Sequence, residues 1–133
     1  MLSLEQSLYH YNNLFGCGEP ENPDYWPIGF IPILWGSGGD YVLINSLVNS
    51  STYGAVYEMT DGVGSNRVSS SLSDFLDANS QILEMGLVEF KNPEYSTILD
   101  NSGYLMACRK AFRESPYFSR LGGEMDKQIV DWK

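Results

Sequence analysis

The sequence predicts an α+β fold, with a central antiparallel sheet of about four to six strands flanked by helices. Between residues 28 and 70, runs of β-branched and aromatic residues alternate with short turns rich in Gly, Asn, Ser and Asp. Connections this short join antiparallel strands, because a parallel crossover needs about a dozen residues or more. Apolar residues recur at helical spacing on either side of this part. With 133 residues, the chain has the size of one domain, which we expect to span residues 1–133.

The first predicted element is a helix whose apolar face consists of Leu4, Leu8, Tyr11 and Phe15. Ser3 and Gln6 have the spacing of a capping box, and Gly16 suits the position just after a helix end. Residues 17–27 contain three prolines and three acidic side chains. Prolines at this density interrupt both helix and sheet, so we expect an acidic loop there.

Four strands are predicted in the centre of the sequence, at 28–35, 41–48, 54–59 and 67–70. Pro32 lacks the N–H that a central strand needs, so the first of these strands is expected at a sheet edge or with a bulge. A helix over 72–83 follows, with Ser71 and Asp74 at its cap and Gly86 near its end. Beyond it, the pattern predicts a short strand at 87–90, a helix at 104–113 and a weaker helix at 124–133.

The negative charge of the chain is concentrated in its first 89 residues. Seventeen acidic residues against eight Lys and Arg give a formal net charge of −9. Residues 1–89 contain eleven acids and one base, Arg67, whereas residues 90–133 contain six acids and seven bases. Such a surface repels nucleic acid and attracts a basic protein partner. A role in solubility alone is the equally open alternative.

Three features of the sequence favour a cytoplasmic protein that contacts no membrane. The longest apolar run, Ile28–Trp35, is much shorter than the roughly 20 residues of a membrane-spanning helix. The first residues lack the basic and long apolar regions of a signal peptide. Cys17 and Cys108 are too few for a disulfide framework, and a cytoplasmic protein keeps its thiols reduced.

The residue types that support catalysis or metal binding are sparse. His10 is the single histidine, and together with Cys17 and Cys108 it does not form the short paired spacings of a zinc site. We therefore expect no catalytic residue, no metal and no cofactor. Asp40, Glu58 and Asp61 are predicted near turns, where they can approach one another at one end of the sheet, and this leaves a carboxylate-based hydrolase as an alternative.

The glycine-rich segment 36–39 is not expected to hold a phosphate group. A phosphate-binding loop precedes a helix and often carries a lysine, but here Asp40 and a strand follow. Glycines permit positive φ angles in a hairpin turn. Gly38, Gly39 and Asp40 are therefore expected to shape a turn.

The order of motifs between residues 25 and 83 resembles that of the SUKH superfamily. The strand Ile31-Pro32-Ile33-Leu34 is followed by Gly38-Gly39-Asp40 and then by Tyr41-Val42-Leu43-Ile44. Gly54-Ala55-Val56-Tyr57-Glu58 is similar to the Gly-x-Val-aromatic strand of that family, and the segment 68–76 is similar to the entry to its helix.

The resemblance implies an α+β fold without enzymatic activity. Many bacterial members resemble immunity proteins, which bind and neutralise toxin domains such as nucleases and deaminases, and fungal relatives are regulatory. We therefore expect a non-catalytic immunity protein whose partner is a cognate toxin of basic character. An intracellular regulatory or scaffold module that binds a peptide or protein is the first alternative, and the carboxylate-based hydrolase is the second.

The expected partner-binding residues combine negative charge with aromatic side chains, a combination that suits a basic partner and that anchors protein interfaces. They are Glu19, Glu21, Asp24, Tyr25, Trp26, Glu58 and Asp61. Trp26 lies beside prolines and acids and is expected to be exposed. Trp35 and Tyr41 are expected to pack in or over the sheet.

Overall fold

The computed structural model describes residues 1–15, 28–36, 39–60, 64–92 and 95–112. In this part of the chain, helices and strands form an α+β fold. The elements are α1 (Leu4–Phe15), β1 (Phe30–Trp35), β2 (Tyr41–Asn45), β3 (Val56–Thr60), β4 (Gly64–Ser69), α2 (Leu72–Glu84), β5 (Val88–Asn92), β6 (Tyr95–Ile98) and α3 (Asn101–Ala111). The helix predicted at 124–133 lies outside the described residues.

The strands β1 to β4 form one antiparallel sheet in which each strand pairs with the next along the chain. β1 lies at one edge of this sheet, and its register against β2 shifts between Pro32 and Leu34. Pro32 therefore lies in an edge strand and beside a bulge, as its missing N–H predicts. The Leu2 N–H donates to the Ile33 carbonyl at 2.9 Å, so the beginning of the chain covers part of the β1 edge.

The second strand ends earlier than predicted, because its last residue organises the turn that follows. The Asn45 side-chain N–H groups donate to Ser50 Oγ at 3.0 Å and to Thr52 Oγ1 at 2.9 Å. Its side-chain oxygen accepts from the Leu47 N–H at 2.9 Å. Tyr57 Oη donates to the same Thr52 oxygen at 3.0 Å. Asn45 is only 1% exposed, so this network holds the chain in a turn where the apolar pattern predicts continued strand.

One face of the sheet carries the first buried cluster. It contains Phe30, Tyr41, Leu43, Ala55, Tyr57 and Met59, with Tyr11 of α1 packed against it. The register pairs Leu43 with Tyr57 and Tyr41 with Met59, which places these side chains on the same face. The Tyr11 hydroxyl also accepts a hydrogen bond from the Gly29 N–H at 3.3 Å, which ties α1 to the start of β1.

The amino-terminal helix α1 begins as predicted, but the sheet buries fewer of its apolar side chains than the sequence pattern predicts. The Ser3 N–H donates to Gln6 Oε1 at 2.8 Å, and the Gln6 N–H donates to Ser3 Oγ at 3.2 Å, which completes the capping box. Ser7 is buried, whereas Leu4 is 85% and Leu8 is 58% exposed. The sheet therefore covers only one side of the apolar face predicted for this helix.

The helices α2 and α3 pack together around a second buried cluster, formed by Ala78, Ile82, Ala107, Cys108 and Phe112. The cap predicted for α2 is confirmed, since the Asp74 N–H donates to Ser71 Oγ at 3.1 Å. α3 begins at Asn101, earlier than predicted. The sequence pattern does not predict this first turn, because its Asn, Ser and Gly are weak helix formers. No helix in the described ranges combines the length and the apolar character needed to cross a membrane.

A two-stranded antiparallel hairpin, β5–β6, lies between α2 and α3 in the chain. β5 overlaps the strand predicted at 87–90. The sequence pattern does not predict β6, because a four-residue strand is too short to show a clear alternation of apolar and polar side chains.

Candidate functional site

Most of the predicted partner-binding residues lie outside the described residues, namely Glu19, Glu21, Asp24, Tyr25, Trp26 and Asp61. The same holds for Gly38 of the predicted turn. The structure places Gly39 and Asp40 between β1 and β2, and Glu58 in the middle of β3. These three are the predicted site residues that lie within the described ranges.

Gly39, in the connection between β1 and β2, has the backbone conformation expected of a glycine in a turn. Gly39 has a φ angle of 90°, in the left-handed region that side-chain-bearing residues rarely adopt. The Gly36 N–H donates to the Asp40 carbonyl at 2.9 Å, which closes the hairpin just before β2. A residue with a side chain would be strained at position 39.

Glu58 lies within the sheet, opposite Val42 on β2 and Asn66 on β4. Its side chain is partly buried. Burial raises the pKa of the Glu58 carboxyl above its ordinary value of 4.5, and the nearby negative charge of Asp40 raises it further. The structure thus brings Asp40 near Glu58, an approach that the sequence leaves open as an alternative, while Asp61 lies outside the described residues.

The carboxyl group of Glu58 also lies near the second buried cluster. Burial raises the pKa of the Cys108 thiol, and the charge of Glu58 raises it further, although a hydrogen bond with Tyr104 acts in the opposite direction. A buried thiol that keeps its proton is a poor nucleophile. Cys108 therefore contributes packing between α3 and the rest of the fold.

We expect Glu58→Gln to make the protein more stable at neutral pH. The folded state holds the Glu58 proton more tightly than the unfolded state, so wild-type stability is lost as the pH rises through the raised folded pKa. The neutral amide avoids that loss, so we expect its free energy of unfolding to exceed that of the wild type at neutral pH. Below pH 4.5 the difference should vanish, because the carboxyl is protonated in both states. Urea unfolding at a series of pH values measures this.

The matched control for this experiment is Glu84→Gln, which removes an exposed carboxylate from the end of α2. Its free energy of unfolding should follow the wild type at every pH. Parallel pH profiles for wild type and Glu58→Gln would contradict the assignment of Glu58 as a destabilising buried acid.

Aromatic side chains from α1, β1 and β2 form an aromatic patch, which we define as Tyr9, His10, Trp35 and Tyr41. His10 Nδ1 and the Tyr41 hydroxyl form a hydrogen bond of 3.1 Å. The His10 ring lies 5.1 Å from the Trp35 ring and 5.5 Å from the Tyr41 ring, measured between centroids. Tyr41 is buried, as predicted, whereas Trp35 is 58% exposed. The His10 ring thus lies against both the exposed ring of Trp35 and the buried ring of Tyr41.

A groove of about 310 Å³ lies between α1 and the edge strand β1. Leu4, Leu8 and Tyr11 line one wall, and Gly29 and Ile31 contribute to the other. We call it the α1–β1 groove. Its walls are mainly apolar, because it is formed by the part of the helix face that the sheet does not cover.

A second cavity, of about 370 Å³, lies between the start of α2 and the end of α3. Asp74 and Asp77 are at this cavity, together with the buried ring of Phe112. Hydrogen bonds from the hydroxyls of Ser71 and Ser70 lower the pKa of Asp74. The ionised form of Asp74 is thereby favoured, so this cavity is acidic.

The fold and these features define an acidic α+β protein with an exposed aromatic and apolar surface beside the edge of its sheet. No protein-family model matches the chain, and no curated protein or solved structure matches it. Within the described ranges, no group of three or more His, Cys, Asp or Glu side chains is arranged to hold a metal ion.

Proposed function

We propose that this chain is a non-catalytic immunity protein of the SUKH type, which binds and neutralises a cognate toxin of basic character. The observation that carries the proposal is the distribution of charge. Residues 1–66 contain seven acidic side chains and neither Lys nor Arg. A surface of one sign steers an oppositely charged protein toward it and raises the rate of association. Neutralisation by occupying a basic cleft requires no chemistry from the inhibitor itself.

The exposed side chains near the sheet edge support a protein-binding role. Trp35 and Tyr9 are 58% and 67% exposed, and aromatic residues are enriched among the side chains that dominate protein interfaces. The acidic and aromatic residues of the segment 17–27, together with Asp61, remain the proposed contacts. Glu58 supports the proposal least, because it is partly buried and its raised pKa weakens its negative charge.

Growth rescue tests the proposal. Co-expression of this chain with a toxin encoded beside its gene should restore growth, and the purified pair should associate more weakly as salt is added. Reversing three acids, as Glu19→Lys, Glu21→Lys and Asp24→Lys together, should weaken binding about tenfold or more and abolish rescue at limiting expression.

The chain offers a matched control for this charge reversal. Glu124→Lys, Asp126→Lys and Asp131→Lys change the net charge by the same amount, but in the carboxy-terminal part, whose charge is nearly balanced. This variant should still rescue growth. Equal loss of rescue in both triple variants would show that net charge alone, and not the acidic amino-terminal part, determines binding. Lack of rescue by the wild type would refute the immunity function for the toxin tested.

The gene neighbourhood and the Glu58→Gln variant distinguish two other functions. A regulatory or scaffold module would bind a cellular peptide or protein with no toxin encoded nearby. The proximity of Asp40 to Glu58, with the raised pKa of Glu58, is the observation that favours a carboxylate-based hydrolase. In that case Glu58→Gln would abolish turnover of the substrate, whereas an immunity protein carrying Glu58→Gln should still rescue growth.

A further inference from the structure

The α1–β1 groove combines large exposed apolar side chains from two elements. Leu4 and Leu8 on α1 are 85% and 58% exposed, and Ile31 on β1 is 38% exposed. Scattered exposed leucines are ordinary on protein surfaces, but these three line one concave site. Burial of a leucine by a partner contributes about as much as burial in a protein core. The groove therefore offers binding energy that the fold itself does not use.

The charged side chain that the structure places on this stretch of α1 is negative. The groove belongs to the part of the chain, residues 1–66, that contains no Lys or Arg side chain. Glu5, which is exposed, lies on α1 between the groove residues Leu4 and Leu8. A partner segment that inserts apolar side chains here meets negative charge at the rim, so Lys and Arg beside its apolar residues complement the site.

We propose that the α1–β1 groove is the docking site for an amphipathic segment of a basic protein partner, which inserts apolar side chains between α1 and β1. This inference rests on the proposed function and names the surface through which a basic partner is held. The groove volume of about 310 Å³ is at the lower end for sites that enclose small molecules, which suits anchoring side chains of a larger partner. A few anchoring side chains that fill desolvated pockets contribute most of the affinity of a protein interface.

The experiment uses a defined probe, a fluorescein-labelled peptide of Leu and Lys whose leucines share one helix face. Fluorescence anisotropy measures its binding to the full chain at low and moderate salt. We expect the Leu/Lys peptide to bind and to bind more weakly as salt rises. A peptide with Ser in place of Leu should bind at least about tenfold more weakly. A peptide with Glu in place of Lys should not bind.

Two substitutions locate the binding site. Leu8→Asn should raise the Kd of the Leu/Lys peptide about tenfold, because a leucine contact is lost without a change of charge. Leu4→Asn should act in the same direction and lies at the first residue of the helix, where a polar side chain is well tolerated. The control is Leu76→Asn on α2, where a leucine of similar exposure, 46%, lies away from the groove. It should leave the Kd unchanged. Circular dichroism verifies that each variant is folded.

Three outcomes would overturn the proposal. The first is that the Leu/Lys peptide does not bind the wild type. The second is that Leu8→Asn and Leu76→Asn bind it equally well, which would assign binding to charge alone. The third is that sedimentation shows a dimer that Leu8→Asn dissociates, since a second copy of the chain would then occupy the groove.

The failure of this inference is distinguishable from failure of the immunity function. If wild type and Leu8→Asn rescue growth equally and bind the peptide equally, the toxin is held by another surface. If peptide binding maps to the groove but no toxin is neutralised, the groove serves a basic partner of another kind.

Discussion

We expect Tyr57→Ala to lower the free energy of unfolding by about 3–5 kcal/mol, the usual cost of removing a large aromatic side chain from a core. Tyr57 is fully buried on β3, opposite Leu43. Its ring meets that of Phe30 edge to face at a centroid distance of 5.0 Å. Most domains have about 5–15 kcal/mol of stability in total, so the variant should unfold at much lower urea concentration than the wild type. Urea titration followed by circular dichroism measures the difference.

Tyr57→Phe is the matched control, because it keeps the ring and removes only the hydroxyl that donates to Thr52. It should cost about 1 kcal/mol, the net contribution of one hydrogen bond. Equal stability losses in the two variants would show that the hydrogen bond, and not ring packing, accounts for the contribution of Tyr57.

We expect Asn45→Ala to destabilise the protein by about 2–3 kcal/mol. The substitution leaves the Leu47 N–H and the hydroxyls of Ser50 and Thr52 without the partner that the buried amide supplies. A buried polar group that loses its partner costs about 1–3 kcal/mol, and the substitution removes three hydrogen bonds at once. Hydrogen exchange should also show faster exchange of the Leu47 amide, since its acceptor is removed.

The control for this prediction is Asn49→Ala, in the same turn. Asn49 is exposed, and its replacement should change the free energy of unfolding by less than about 0.5 kcal/mol. If the two alanine variants were equally stable, the network around Asn45 would not be what holds the turn between β2 and β3.

Both predictions concern features that the sequence shows only in part. The strands β2 and β3 are predictable from their apolar, β-branched and aromatic residues, although the continuous apolar run of β2 does not state which of its side chains face the core. The role of Asn45 is not predictable, since an asparagine after an apolar run is equally compatible with an exposed turn. Its partners Ser50 and Thr52 become neighbours only when the chain reverses direction.

The candidate site also combines features that the sequence predicts with features that only the fold decides. Ser3 and Gln6 are close in sequence, so their capping box was predictable from spacing alone. The apolar spacing of Leu4 and Leu8 predicts that they share a helix face, but it does not state which part of that face a neighbour covers. The signal that the sequence offers is Pro32, which predicts that β1 is an edge strand. No further strand lies beyond an edge strand, so part of a helix packed against it stays uncovered.

The sequence by itself determined the α+β class, the antiparallel hairpins and the concentration of negative charge before residue 90, because these depend on local spacing and composition. The tertiary structure decided which apolar side chains remain at the surface and which acids meet. Glu58 and Asp40 interact because the register of β2 and β3 brings them together. The groove exists because α1 lies along β1 and leaves Leu4 and Leu8 uncovered. Both depend on contacts between residues distant in the chain, which local patterns do not specify.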